Sequence, residues 1–165
     1  SSALFPANQF QLLRVSSTLF QSKPIKFHCA LPSIQYNQFY FYAWEITMSV
    51  QRLHVTSRYC EVAIAGNVVH LAGQLADDTS TDITIQTQQT LANIDRLLLE
   101  ASTDKSHILS VFIFLKDIEK DYAAMNAVWD AWLAEGHPPA RTCVESKLYA
   151  AEVLVEMTVT AIRPD

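Results

Sequence analysis

The residues best suited to carry chemistry lie near the end of the chain, in two segments separated by a short connection. The first segment contains Arg141, Cys143 and Glu145, which share one face if this segment is a strand. The second contains Glu156, which interrupts one of the most apolar runs of the sequence. A carboxylate in such a run is costly to bury unless it is paired or hydrogen-bonded. The presence of Glu156 in this apolar run therefore requires a structural or a functional explanation.

Arg141 and Glu156 would be neighbours on one face if their strands formed a hairpin across residues 146–152. The pair could be structural, either as a partly buried ion pair between two strands or as edge charges that face solvent. It could instead form a site, because a guanidinium binds a carboxylate through two parallel hydrogen bonds. The adjacent Glu156 could then act on a water molecule. The pattern alone leaves both interpretations open.

Other familiar arrangements of catalytic residues are absent from the sequence. It contains no glycine-rich phosphate loop, no HExxH and no GxSxG. The five histidines show no metal-ligand spacing, which argues against a metal site. Three cysteines without a CxxC pair favour a reducing compartment over a disulfide framework.

The composition indicates one globular domain. Half of the 165 residues are hydrophobic, which is ample for a core, and no stretch approaches the roughly 18 consecutive apolar residues of a membrane-spanning helix. The net charge of −5 argues against a protein that coats nucleic acid or an anionic membrane.

Residues 1–47 differ from the rest of the chain. They hold ten of the seventeen aromatic residues, three bases and one acid, whereas residues 48–165 hold nine bases and sixteen acids. A basic, acid-poor segment is compatible with an organellar transit peptide. The alternative that we favour is extra sequence ahead of a start at Met48, with the domain in 48–165 and the cytoplasm as its compartment. We expect deletion of 1–47 to leave folding unchanged.

The first elements of the domain are a hairpin and a helix. Two short apolar runs flank Gly66 and Asn67, which tolerate the positive φ of a tight turn. The cluster of capping residues at 79–82 then predicts the start of a helix. Its apolar face repeats every three or four residues, at Ile83, Thr87, Leu91, Ile94, Leu98 and Ala101.

The second half of the domain predicts a strand, a helix and two more strands. The β-branched and aromatic run at 107–115 is typical of a buried strand. Gly136 and the prolines after it end the next helix, whose stripe consists of Tyr122, Met125, Trp129 and Trp132. Strands at 140–145 and 153–162 close the chain.

This order of elements predicts an α+β fold. Two helices cannot cover both faces of a sheet, so we expect both to lie on one face. The other face also has to be buried, which favours an oligomer.

The stretch PPARTCVESKLYAAEVLVEM resembles the signature of the Rid family, the reactive-intermediate (enamine or imine) deaminases, also called YjgF-type proteins. The family pattern is Pro/Ala-x-Arg-x-Cys-Val-Glu, with a Glu in an apolar strand fifteen residues after the Arg, which is the interval from Arg141 to Glu156. RYCEVAIAGNVVHLAGQL is similar to the family's first hairpin. TQQTLANIDRLLLEA and FIFLKDIEKDYAAMNAVWDAW are similar to its helices and central strand. The resemblance covers about residues 52–163.

The resemblance implies a chorismate-mutase-like fold, in which a mixed sheet carries two helices on one face and three copies form a barrel with pockets between subunits. It also implies hydrolysis of 2-imino acids to 2-oxo acids and ammonia, without a metal or an organic cofactor. Arg141 would bind the substrate carboxylate, and Glu156 would position or deprotonate the attacking water. Tyr59 would line the pocket, and the backbone near Gly73 and Cys143 would supply further contacts.

The chain departs from the common family pattern at three places. Ala72 stands where active members have Ser, the loop over 74–80 is shorter than usual, and Tyr149 replaces a common Pro. These features resemble a divergent, YoaB-like subgroup.

Two other functions stay open. Family members have been labelled endoribonucleases or inhibitors of translation, but the net charge of −7 over residues 48–165 argues against RNA binding. A non-catalytic protein that binds small carboxylates through Arg141 is the second alternative, because a sensor and a hydrolase would share the same anion-binding residue.

Overall fold

Residues 49–164 are the part of the chain that the computed structural model describes. They form a six-stranded mixed sheet in the order β1-β2-β3-β6-β4-β5, in which only β4 and β5 run parallel. The leader predicted over 1–47 lies outside the described residues. The elements are β1 (Val50–Val55), β2 (Cys60–Ala65), β3 (Val68–Gln74), α1 (Ile83–Glu100), β4 (Ile108–Leu115), α2 (Ile118–Trp132), β5 (Ala140–Glu145) and β6 (Val155–Ile162).

The seven predicted elements are confirmed, and both helices lie on one face of the sheet as expected. The strand β1 was not predicted. It pairs only with β2 at the edge of the sheet, and every side chain in it except Leu53 is exposed. A strand without a buried face gives no alternation of apolar and polar residues, so the sequence pattern does not reveal it.

The last two strands do not form the hairpin on which the expected contact between Arg141 and Glu156 depended. β4 lies between β5 and β6, and it pairs in parallel with β5 and antiparallel with β6. The prediction assumed that consecutive strands pair, which is the more frequent arrangement. Here α2 carries the chain from the end of β4 back to the start of β5, so these two strands run in the same direction.

Helix α1 supplies much of the core. The Asp82 side chain accepts a hydrogen bond from the backbone N–H of Ile85 at 3.0 Å, which caps the first turn of the helix. All the positions predicted to form its apolar face are buried, namely Ile83, Thr87, Leu91, Ile94, Leu98 and Ala101.

The two faces of the sheet differ in burial, as the central strand β6 shows. Its buried side chains point toward the helices and define the helix face: Val155, Met157, Val159 and Ala161. Its half-buried side chains define the open face: Glu156, Thr158, Thr160 and Ile162. Phe112 of β4 is paired with Thr158 and is 50% exposed on the open face. A single chain therefore leaves apolar surface uncovered on this face.

Gln86 joins α1 to two loops that lead to the sheet. Its side chain is fully buried, and its Nε2 lies 2.9 Å from Thr79 O, 3.0 Å from Thr81 O and 2.9 Å from Glu152 O. Its Oε1 accepts a hydrogen bond from Leu154 N at 2.9 Å. Gln86 therefore fixes the connection that enters β6 just before Glu156.

Replacing Gln86 by Leu should lower the free energy of unfolding by about 3 kcal/mol, because three backbone carbonyl groups and one backbone N–H then lose the hydrogen-bond partner that this buried side chain supplies. Urea unfolding of the variant and the wild type measures this change. The matched control is Gln88→Leu on the exposed side of the same helix, which should change stability by less than about 0.5 kcal/mol. Equal effects of the two substitutions would contradict the assignment.

Candidate active site

Arg141 lies near the start of the edge strand β5, on the helix face. It pairs with the buried Val111 of β4, and its Nη1 donates a hydrogen bond of 2.7 Å to Asn126 Oδ1 of α2. Its guanidinium carbon lies 5.2 Å from the centre of the Trp129 ring, within the range of a cation–π interaction. One neutral hydrogen-bond acceptor and one aromatic ring thus hold the guanidinium.

Both neighbours of Arg141 come from α2, where Asn126 and Trp129 are three residues apart and therefore adjacent on the helix surface. Trp129 was predicted as part of the stripe of α2 and is 4% exposed, but its contact with Arg141 was not predicted. The sequence analysis did not identify Asn126. The signal that could have identified it is its position: Asn126 is polar and directly follows Met125, which is buried on the sheet-facing side of the helix.

Cys143 lies two residues after Arg141 and shares its face. The side chain is half-buried against the core. Burial raises the pKa of the Cys143 thiol, and the nearby Arg141 cation offsets this only in part. The thiol therefore stays protonated at neutral pH, which suits a wall residue and not a nucleophile.

Glu145 shares the face of Arg141 and Cys143 as predicted, but it serves the fold. Its Oε2 accepts a hydrogen bond from Ile118 N at 3.1 Å, at the first residue of α2. The carboxylate therefore lies at the positive end of the helix dipole and helps to fix the start of α2.

Glu156 lies on the open face of β6, directly over Gly73 of β3. A Cβ atom built on Gly73 would lie 2.0 Å from Glu156 Oε1. The register between β3 and β6 shifts between Leu71 and Gln74, so Gly73 lies in the irregular part of this pairing. The missing side chain of Gly73 is therefore what makes room for the carboxylate.

Tyr59 lies in the turn between β1 and β2, and it is 57% exposed. Thr56 fixes this turn, because its N–H donates to Tyr59 O at 2.8 Å and its Oγ1 accepts from Tyr59 N at 3.1 Å. Since β2 and β3 are antiparallel, the start of β2 lies beside the end of β3. Tyr59 is therefore at the same end of the sheet as Gly73 and Glu156.

The structure does not bring Arg141 and Glu156 together within one chain, so the predicted same-face pair is wrong. Arg141 aligns with Val111 on the helix face, whereas Glu156 aligns with Phe114 on the open face. The intervening strand β4 and an offset of three residues separate their Cα atoms by about 14 Å. The candidate site consists of two half-sites: the Arg141 half-site with Asn126, Trp129 and Cys143, and the Glu156 half-site with Gly73 and Tyr59.

Clefts elsewhere on the chain do not join the two half-sites. A cleft of about 520 Å³ lies at the connection after β5, and one of about 400 Å³ lies between the helices; other residues line both. Within residues 49–164, no three His, Cys, Asp or Glu side chains are grouped so that they could hold a metal ion. No helix of that stretch is long and apolar enough to cross a membrane.

The fold and the half-sites define an α+β domain that carries an arginine on an edge strand and a glutamate packed over a glycine of the neighbouring strand. The chain belongs to the Rid (YjgF) family, whose model described as Endoribonuclease L-PSP matches residues 49–163. This membership confirms the resemblance found in the sequence.

Individual relatives agree with this assignment. A RutC family protein of Haemophilus ducreyi is 40% identical over 112 residues, which cover 68% of this chain and 95% of the relative. The RutC family protein YoaB of Escherichia coli K12 is 37% identical over 114 residues, covering 69% and 98%. The crystal structure of NMB1025, a YjgF-family protein from Neisseria meningitidis, superposes with a TM-score of 0.69 at 42% identity, covering 72% and 98% of the two chains.

Gly73→Ala should displace the Glu156 carboxylate while the fold persists, because the new Cβ meets only the flexible end of that side chain. The expected loss of stability is about 1 kcal/mol or less. A crystal structure of the variant, together with its thermal unfolding, checks both parts. A Glu156 carboxylate that stays in place would contradict the role assigned to Gly73.

Proposed function

We propose that this protein hydrolyses small 2-imino acids to 2-oxo acids and ammonia. The observation that carries the proposal is the way in which Arg141 is held. Asn126 accepts a hydrogen bond from one N–H of the guanidinium, and the guanidinium carbon lies over the Trp129 ring. A guanidinium has five N–H donors in one plane, so four remain for a ligand. Membership of the Rid family supports the same chemistry.

The substrate carboxylate would bind to Arg141. A carboxylate accepts two parallel hydrogen bonds from a guanidinium, which fixes its orientation as well as its position. The reacting C2 atom is bonded directly to that carboxylate, so orienting the carboxylate also orients the reacting carbon. Cys143 would form a wall beside it.

Glu156 would act on the attacking water. The water oxygen adds to C2 as Glu156 accepts one proton from it, and Glu156 passes that proton to the imine nitrogen. The hydroxyl proton of this adduct then moves to the nitrogen by way of Glu156 as the C–N bond breaks, so ammonia leaves and C2 becomes the carbonyl of the 2-oxo acid. Because the imine carbon is already electrophilic, an oriented water suffices and a covalent nucleophile is not needed.

The two half-sites would meet between copies of the chain. Within one chain they lie on opposite faces of the sheet, too far apart for a substrate of a few atoms to contact both. We infer that Arg141 of one copy faces Glu156, Gly73 and Tyr59 of another. The exposed Phe112 on the open face supplies apolar surface for such an assembly, and the homotrimer that the resemblance implies is the form that we propose.

A non-catalytic protein would use the same Arg141 half-site to bind small carboxylates. Glu156 distinguishes this function from the hydrolase, because a pocket that only binds carboxylates gains nothing from a second carboxylate nearby. An RNA-directed activity finds less support, since residues 48–165 carry a net charge of −7 and nucleic-acid binding depends on basic surface.

Arg141→Ala should abolish both deamination and pyruvate binding, whereas Glu156→Gln should reduce turnover more than pyruvate binding. Arg141→Lys keeps the charge but loses the planar donors, so pyruvate should bind about tenfold more weakly. Ammonia release from freshly generated 2-iminopropanoate measures turnover, and calorimetric titration with pyruvate measures binding.

The matched control for this series is Arg96→Ala, which removes an exposed arginine of α1 that pairs with Glu100. It should change neither turnover nor pyruvate affinity. Retained affinity in a folded Arg141→Ala variant would end the site assignment. Wild-type ammonia release no faster than in buffer, together with pyruvate binding, would identify the protein as a carboxylate-binding module.

Mixed assemblies test whether the site is shared. If Arg141 and Glu156 come from different copies, co-expressed Arg141→Ala and Glu156→Gln chains should recover about a quarter of the wild-type activity in a randomly mixed symmetric trimer. Each variant alone should be inactive or nearly so. Sedimentation equilibrium should give the mass of three chains. A monodisperse monomer at micromolar concentration, or no recovery on mixing, would contradict the shared site.

A further inference from the structure

Trp129 has a position that the hydrolytic scheme alone does not require. Its ring lies beneath the Arg141 guanidinium, with 5.2 Å between the guanidinium carbon and the ring centre. The attraction is to the π-electrons of the ring, and an indole has no acceptor lone pair that would satisfy an N–H donor as a carboxylate does. Trp129 can therefore restrict the guanidinium without competing with a carboxylate for its donors.

The ring of Trp129 is itself held in place. Trp129 is 4% exposed, and its ring centre lies 5.3 Å from that of Trp132 at an interplanar angle of 51°. Trp132 Nε1 donates a hydrogen bond of 2.8 Å to Asp95 Oδ2 of α1. Lys105 lies 5.3 Å from the centre of the Trp132 ring and donates to Trp132 O at 2.7 Å. These contacts anchor the indole pair to α1 and to the turn before β4.

We propose that Trp129 is a positioning residue that orders the Arg141 guanidinium before the substrate arrives. This inference rests on the proposed function, because it assigns to Trp129 a role in carboxylate binding at the same site. A free arginine side chain loses much rotamer entropy when it is fixed by a ligand. The ring of Trp129 and the amide of Asn126 fix it in advance, so less of the binding free energy is lost to ordering.

The guanidinium also favours particular ligands. Its N–H donors all lie in one plane, so a ligand meets them at the in-plane edge. A planar carboxylate meets such an edge with two hydrogen bonds. The Arg141 half-site is therefore suited to carboxylates that approach in the plane of the guanidinium.

Three substitutions test this role in the full-length protein, with pyruvate as the probe. Trp129→Leu keeps an apolar side chain but removes the ring, and it should weaken pyruvate binding about tenfold. Trp129→Phe keeps a smaller ring and should lose only about threefold. The matched control is Tyr122→Leu, which removes an exposed aromatic ring from the same helix and should bind pyruvate as the wild type does. Thermal unfolding of each variant separates these effects from loss of fold.

A spectroscopic measurement distinguishes positioning from general stability. The Arg141 Nε–H signal, assigned by its absence in Arg141→Ala, should carry a ring-current shift in the wild type and in Tyr122→Leu. The shift should shrink in Trp129→Phe and disappear in Trp129→Leu. Steady-state kinetics should show a raised KM for 2-iminopropanoate in the Trp129 variants, with a smaller change in kcat.

The results separate this inference from the proposed function. If Arg141→Ala loses pyruvate affinity while Trp129→Leu is folded and binds like the wild type, the role of Trp129 is refuted and the site stands. If Arg141→Ala itself keeps its affinity, the proposed function fails. If Trp129→Leu does not fold, the test depends on Trp129→Phe and on the wild type. The inference is overturned if Trp129→Phe binds pyruvate as tightly as the wild type and the Arg141 Nε–H signal of the wild type shows no ring-current shift.

Discussion

The position of β4 between the last two strands determines where Arg141 and Glu156 lie on the sheet. Because α2 returns the chain to the start of β5, that strand runs parallel to β4 and becomes an edge of the sheet. The first residues of β5 then lie beneath α2, so Arg141 meets Asn126 and Trp129. The same arrangement keeps β6 in the middle of the sheet, where Glu156 faces away from both helices.

The elements could be predicted from the sequence because each one that packs against the core carries a periodic apolar pattern. The face of α1 was read position by position, and its members are buried. The pairing of the strands could not be predicted in this way. The alternation of apolar and polar residues in 140–145 and 153–162 is the same whether these two strands are neighbours or are separated by β4. The pairing depends on contacts between residues that are far apart in the sequence, and these contacts place β4 between the two strands.

The candidate site shows the same division between local and non-local information. Arg141, Cys143, Glu156, Gly73 and Tyr59 were named from motifs, and the structure places Gly73 directly beneath Glu156. Asn126 was missed because a single polar residue in a helix has no local signature, and its partner lies fifteen residues later in another element. The proximity of Arg141 to Glu156 was wrong because it was derived from the assumed hairpin and not from either residue.

The way in which Arg141 is held within one chain favours the proposed chemistry more than the predicted ion pair would have. An arginine and a glutamate about 4 Å apart near a protein surface attract each other by about 4 kcal/mol. A substrate carboxylate would have to displace that partner before it could bind. Asn126 and Trp129 hold the guanidinium in place without neutralising it, because neither carries a charge. Within one chain the charge of Arg141 is therefore not neutralised by Asn126 or Trp129, as the proposed binding of a carboxylate requires.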